Sequence, residues 1–285
     1  MQIRIYSALP EKEKQALFEL VQECNKVDGG YRLPYLDNNY NADPEMPAFF
    51  LAEMDDRTIG FLSVYADEPS HAEVSLYVLP SYRRQGVANQ LLAAFSKVAD
   101  KYDLTEIEYV AEQAFLNAHP DFARRFDYQE DEAEIWLAQS AQTFPLDKRE
   151  GIEVLQGSLD LVEEIAAFQS QVFNTPLDVA LKYAREAVSS GSSLLYILKK
   201  DGRVVASVSV DTDFGTNYFF GLAVNQDFQG QGLGSYLLLA SMQDLNERNG
   251  QDFQIVVEKQ NTQALKLYKK LGFKEMTEVV YLKEK

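Results

Sequence analysis

The stretch Tyr218-Phe-Phe-Gly-Leu-Ala-Val-Asn-Gln-Asp-Phe-Gln-Gly-Gln-Gly-Leu-Gly-Ser235 decides the fold: an apolar strand breaks into a glycine-rich turn, and the turn opens a helix. Gly230, Gly232 and Gly234 alternate, so positions without a Cβ let the backbone take unusual dihedrals and approach a ligand closely. Helical periodicity resumes at once in Leu233, Tyr236, Leu237 and Ala240. The N–H groups of the turn and first helical turn have no intrahelical acceptor and stand at the positive end of the helix dipole, which suits a pyrophosphate. A nucleotide-type anion site is predicted here.

The spacing excludes two other phosphate binders. A P-loop ends in Gly-Lys-Ser/Thr, which is absent, and a dinucleotide fingerprint needs Gly or Ala where Ser235 stands. Gln229-Gly230-Gln231-Gly232-Leu233-Gly234 reads Q-x-x-G-x-G and resembles the acetyl-CoA-binding motif of the GCN5-related N-acetyltransferases (GNAT). Asn261-Thr-Gln-Ala264-Leu-Lys-Leu-Tyr268-Lys-Lys-Leu271-Gly-Phe273 is similar to that family's second cofactor segment, N-x-x-A-x-x-L-Y-x-K-x-G-F.

The turn has a counterpart earlier in the chain. Leu76-Tyr-Val-Leu-Pro-Ser-Tyr-Arg83-Arg-Gln-Gly86-Val-Ala88 aligns without a gap on Leu222 to Gly234; Gly232 lies 146 residues after Gly86, and Phe273 lies 145 after Tyr128. Such a repeat predicts two copies of one plan. In the first, Ile3 to Tyr6 reads as a strand, and Ala16, Leu17, Leu20 and Val21 mark a helix ending near Asp28-Gly-Gly30. Phe49 to Met54 and Thr58 to Ala66 form a hairpin, Ala72 to Leu79 leads into the first glycine turn, Gln85 to Tyr102 is a helix, and strands follow at Glu106 to Ala111 and Ile135 to Leu137. The second copy repeats this: a strand at Ile152 to Leu155, helices at Leu159 to Phe173 and Leu177 to Val188, and a hairpin across Lys200-Asp201-Gly202. After the focal turn come a helix to Arg248, a strand at Phe253 to Glu258, a helix at Thr262 to Lys270 and a closing strand at Glu278 to Leu282. The expected organisation is an α/β chain of two tandem acyltransferase-like domains, 1–139 and 151–285, joined by a polar, proline-containing linker at 140–150.

Composition narrows the function. A formal net charge of −17 opposes non-specific binding to nucleic acid or an anionic membrane and favours cationic substrates. There is no apolar run long enough to span a bilayer and no secretory layout at Met1-Gln-Ile-Arg-Ile, so a cytoplasmic protein is expected. Cys24 lies among helix formers and reads as a buried thiol. Two histidines and one cysteine predict no metal site.

The resemblance implies acetyl-CoA as co-substrate and a primary amine, on a small molecule or a peptide, as acceptor. It implies main-chain contacts to the cofactor from Leu222, Ala223 and Val224, and phosphate contacts from Gln229, Gly230, Gln231, Gly232, Leu233, Gly234 and Ser235. It implies that Asn261 bonds the pantetheine arm or starts the helix, and that the Tyr268 hydroxyl lies near the thioester sulfur. Seven residues separate Asn261 from Tyr268, so both share one helix face. A phenol that stays protonated at neutral pH suits protonation of a departing thiolate, whereas a core aromatic is the alternative reading of Tyr268. Many relatives carry a glutamate where Ala223 stands; Asp211, Asp213, Glu258 or a water chain are the replacement candidates for the base. The first copy has Ala123 and Leu116 opposite Tyr268 and Asn261, so the chemistry is assigned to the second copy; His119 reads as an exposed loop residue. Two rival functions are a non-catalytic CoA-binding or scaffold protein built from the duplicated fold and transfer of a different acyl group. Acceptor contacts are expected from Tyr31 to Pro47 and Phe173 to Ser193, a working cofactor site should show strands splayed after Leu222, and oligomeric state stays open.

Overall fold

The computed structural model describes residues 1–38, 41–143, 145–189, 193–212 and 215–285. It divides into two compact units, 1–135 together with 277–285, and 136–276. The sequence repeat is written on consecutive residues, whereas the first unit also takes in the end of the chain.

In the first unit, β1 (Gln2–Tyr6) is followed by α1 (Glu11–Asp28), β2 (Phe49–Met54), β3 (Arg57–Tyr65), β4 (His71–Val78), α2 (Val87–Lys101) and β5 (Glu106–Glu112). Two short helices, α3 (Gln113–Ala118) and α4 (Phe122–Arg125), precede β6 (Tyr128–Gln139), whose last four residues belong to the second unit. The second unit continues with β7 (Ile152–Gln156), α5 (Val162–Phe173), α6 (Leu177–Ser189), β8 (Ser193–Lys200), β9 (Arg203–Asp211), β10 (Asn217–Val224), α7 (Leu233–Arg248), β11 (Phe253–Glu258) and α8 (Thr262–Lys270). The closing strand β12 (Lys274–Glu284) is longer than expected and enters the first unit. Its Val279, Val280, Tyr281 and Leu282 pair antiparallel with Glu112, Ala111, Val110 and Tyr109 of β5. The strand order there is β1-β2-β3-β4-β5-β12-β6, and in the second unit β6-β11-β10-β9-β8-β7.

Local chemistry explains the elements read from sequence. Helix α1 stops where Gly29 turns left-handed at φ +75°, a conformation that costs glycine little. The hairpin residues Asp55 and Asp56, then Asp201 and Gly202, all have positive φ, the backbone that matches the twist of tight antiparallel pairs. In the second unit Val162, Ile165 and Phe168 of α5 and Ala180 and Ala184 of α6 pack on Leu195 and Ile197 of β8. Side chains alternate along a strand, so Tyr196 points the other way and its hydroxyl donates to Asp244 of α7 at 2.6 Å. Helix α7 therefore covers one face of this sheet, and α5 with α6 the other. No helix among the described residues is long and apolar enough to cross a membrane.

Candidate active site

Strand β10 is regular only at its start. Asn217, Tyr218 and Phe219 pair with Phe253, Gln254 and Ile255 of β11, and the parallel ladder then ends. On its other edge Phe220 faces Ser209 and Ala223 faces Ser207, so Gly221 and Leu222 stand against the single residue Val208. This is a β-bulge, and Gly221 supplies the left-handed residue it needs at φ +61°. A Cβ at 221 would meet nothing within 4 Å, so the demand for glycine comes from the backbone alone. The two strands thus part after Phe219, three residues before the expected point, and leave N–H groups of Gly221 to Val224 off the β11 ladder.

The glycine turn follows. Asn225 accepts from the Asp227 N–H at 3.0 Å, and the Gln229 side chain donates back to the Val224 carbonyl at 3.1 Å, tying the turn to the strand end. Gly230 and Gly232 have φ of +74° and +72°, and Gly232 caps α7. Gly234 is needed for closeness instead: its Cβ would stand 3.3 Å from Val224 and 3.9 Å from Leu267. Among the described residues no acceptor reaches the N–H groups of Gly230, Gln231, Gly232, Leu233, Gly234 or Ser235. Two cations stand beside this row. Arg149 donates to the Gln231 carbonyl at 3.3 Å and lies 4.9 Å from the Tyr236 ring centroid. Lys200, at the β8–β9 hairpin, donates to the Gln231 side chain at 2.6 Å and covers the Phe228 ring. Neither was singled out in the sequence, since one lies in the expected linker and the other in a hairpin; the only signal was a positive charge in an acidic chain.

Helix α8 opens on Asn261, whose side chain accepts from the Ala264 N–H at 3.1 Å. Two turns on, Tyr268 is 5% exposed with its ring 6.2 Å from that of Phe273. No described residue hydrogen-bonds its hydroxyl, and burial pushes its pKa up to about 12.

The carboxylates divide by position. The last pair of the β10–β11 ladder is Phe219 with Ile255, so Glu258 lies three residues past the point where the ladder opens. Phe253, Ile255 and Val257 are buried on one face of β11, which leaves Glu258 exposed on the other face, with no described residue paired to its carboxylate. Asp211 faces Tyr218 instead, four residues of β9 after Ser207 of the Ser207–Ala223 pair, or about 13 Å of strand. Asp213 lies outside the described residues. Among those residues no group of His, Cys, Asp and Glu could hold a metal ion.

The Acetyltransferase (GNAT) family profile matches residues 14–128 and again 159–273, the greater part of the chain. The chain belongs to the GNAT acetyltransferase family. Mycothiol acetyltransferase of Clavibacter sepedonicus is 27% identical over 260 residues, 80% of this chain and 78% of that protein. Among solved structures, a GCN5-related N-acetyltransferase from Sphaerobacter thermophilus superposes with a TM-score of 0.77 at 17% identity, covering 99% of this chain and 95% of that one. A tandem GNAT protein from the clavulanic acid biosynthesis pathway gives 0.73 at 17% identity, covering 99% and 98%. The fold is a tandem GNAT fold.

The two GNAT copies share the turn and differ at the strand before it. Arg83 donates to the Val78 carbonyl at 2.9 Å as Gln229 does to Val224, but its guanidinium is also held by Asp28 at 2.7 and 2.6 Å. Arg84 takes the left-handed place of Gly230 at φ +63°. Ser75 stands where Gly221 does, and β4 pairs with β3 from Gly60–Val78 to Tyr65–Glu73 without a break. In the first copy the β3–β4 pair therefore has no bulge at this place; a register shift lies instead between β2 and β3, at Ala52 and Glu53. Arg32 donates to the Ser75 hydroxyl at 2.9 Å, and Glu112 accepts from the Tyr31 and Arg32 amides and from Thr277. His119 is 3.5 Å from Asp28 and its ring lies against Phe115. Cys24 is buried, and burial pushes its pKa up to about 11.

Proposed function

We propose that the second copy transfers an acetyl group from acetyl-CoA to a primary amine. The observation that carries this is the bulge at Gly221 and Leu222 beside the unpaired amides of Gly230 to Ser235. The turn amides, with Arg149 and Lys200, fit the pyrophosphate: six N–H donors at a helix start and two side-chain cations face one anion. The opened edge of Leu222, Ala223 and Val224 offers main-chain donors to the pantetheine arm and to the thioester carbonyl oxygen as it gains charge. Asn261 spends its side-chain oxygen on capping α8, and its amide nitrogen is left for the pantetheine.

The residues then divide the proton transfers. Glu258, on the lip of the opened ladder, takes the proton of the incoming ammonium, with or without an intervening water. The amine nitrogen bonds to the acetyl carbon, the carbon–sulfur bond breaks, and Tyr268 gives its proton to the departing thiolate, while the surplus proton on the acylated nitrogen passes to water, from which Tyr268 is reprotonated. A phenol pushed up to about 12 reaches that moment protonated. Asp211 is too far along β9 from the bulge to receive this proton directly. The first copy, with β4 in unbroken pairing with β3 and no tyrosine in the equivalent place, supports the fold, and the protein works in the cytoplasm.

Gly221→Val tests the reading. A β-branched residue is strained at φ +61°, so the strand relaxes toward the unbroken pairing of β4. Thiol release from acetyl-CoA with a panel of primary amines is expected to fall by about 100-fold or more, the scale of lost alignment of reacting groups. Full activity in a folded Gly221→Val protein would contradict the role given to the bulge.

A further inference from the structure

The sheet face that carries Glu258 also carries a feature the acetyl transfer does not use. Ser209 faces Leu195, which packs under α5 and α6, and Phe220 faces Ser209, so Phe220 points to that same side. Two residues back Tyr218 shares the face, its ring stacked 6.1 Å from Phe220 at 20°. Trp136 lies 6.2 Å beyond Tyr218. This is a row of aromatic rings that begins at the bulge, and Phe220 at its head is 43% exposed, a large share for an apolar residue in a strand between two others. Asp211 faces Tyr218 across the β9–β10 pair and so projects on the same side, at the far end of the Phe220–Tyr218 stack. Carboxylates thus stand at both ends of the aromatic surface, Glu258 past the opening of the β10–β11 ladder and Asp211 three residues of β9, about 10 Å of strand, from Val208 at the bulge.

A monoamine needs only the first of these. A chain with a positive charge at each end matches both: aromatic faces attract cations and cover methylene groups, and each carboxylate holds one ammonium. The net charge of −17 favours the approach of such a dication. We propose that the acceptor is an α,ω-diamine or a longer polyamine, whose reacting nitrogen lies at the bulge beside Glu258. Its distal ammonium is held by Asp211, and its carbon chain lies over Phe220 and Tyr218. Asp211 is then a positioning residue. This rests on the transferase reading given above.

The test is steady-state acetyl transfer from saturating acetyl-CoA to a graded series of α,ω-diaminoalkanes and to the n-alkylamines of matching length, with acetyl-CoA titrated calorimetrically into the same preparations. Wild-type protein is expected to prefer the diamine in kcat/KM by about 10- to 100-fold, best where the nitrogens are on the order of 10 Å apart. In Asp211→Asn the diamine KM should rise by a similar factor, with kcat falling far less, and the length optimum should vanish. Phe220→Ala should weaken the longer diamines more than the shorter ones. Acetyl-CoA binding with no diamine preference in the wild type would overturn the proposal and leave the transferase reading standing. So would an Asp211→Asn effect that falls on kcat for both amine classes, which would place Asp211 in the proton path. No acetyl-CoA binding would overturn both.

Discussion

Tyr268→Phe is expected to lower kcat for acetyl transfer by about 10²- to 10³-fold while changing acetyl-CoA affinity by less than about threefold. The ring stays, so the contact with Phe273 stays. No described residue bonds the hydroxyl, so its removal strands no buried partner and the melting temperature should hold. That separates the acid from a core aromatic: a packing role predicts a phenylalanine variant with full kcat. The pH profile gives a second check. Amine and base must lose protons before attack, so kcat/KM should rise with pH. A Tyr268 pKa raised to about 12 leaves the acid in place, so the plateau should persist past pH 10. An alkaline decline well below that value, absent in Tyr268→Phe, would mean that the hydroxyl titrates in a wetter place than its 5% exposure allows.

Removal of residues 277–285 is expected to unfold the first unit. Val279, Val280 and Leu282 are at most 1% exposed, and β12 lies between β5 and β6. Each buried aliphatic side chain contributes about 2 kcal/mol, so three of them, with a full strand of backbone pairing, rival the roughly 5–15 kcal/mol that stabilises a domain. Limited proteolysis of the truncated chain should cut within 1–135 and spare 136–276, which contains every residue given a role in acetyl transfer. A truncated chain as resistant as the full one would show that the first unit closes without its last strand.

This strand is where the sequence was least informative. Alternation in Val279 to Leu282 says that a strand forms but not which edge it joins, since partner choice depends on residues more than a hundred positions away. Elements governed by nearby residues were legible instead. Helix α8 runs from Thr262 to Lys270 as read, because Asn261 supplies its cap and Gly272 and Phe273 follow its end. Strand β11 and both hairpins were likewise set by local turn chemistry. Between these extremes lies Gly221. A lone glycine inside an apolar strand signals a bulge, but only the registers with β9 and β11 show two residues against one and the ladder parting after Phe219. The same registers put Glu258 at the opening and Asp211 away from it, a difference that composition and spacing alone could not make. Arg149 and Lys200 stayed hidden for a related reason: side chains from two distant segments converge on Gln231.

Cofactor binding is assigned to the second copy, and calorimetric titration of acetyl-CoA into the full chain tests that most directly, with Gly232→Trp and Gly86→Trp as paired variants. Both glycines cap a helix in the left-handed conformation, at φ +72° and +84°, so the two substitutions strain the backbone alike. The prediction is one site per chain, lost in Gly232→Trp and kept in Gly86→Trp. Binding that survives Gly232→Trp and disappears with Gly86→Trp would move the site to the first copy, and no binding to the wild-type chain would contradict an acetyl-CoA-dependent enzyme.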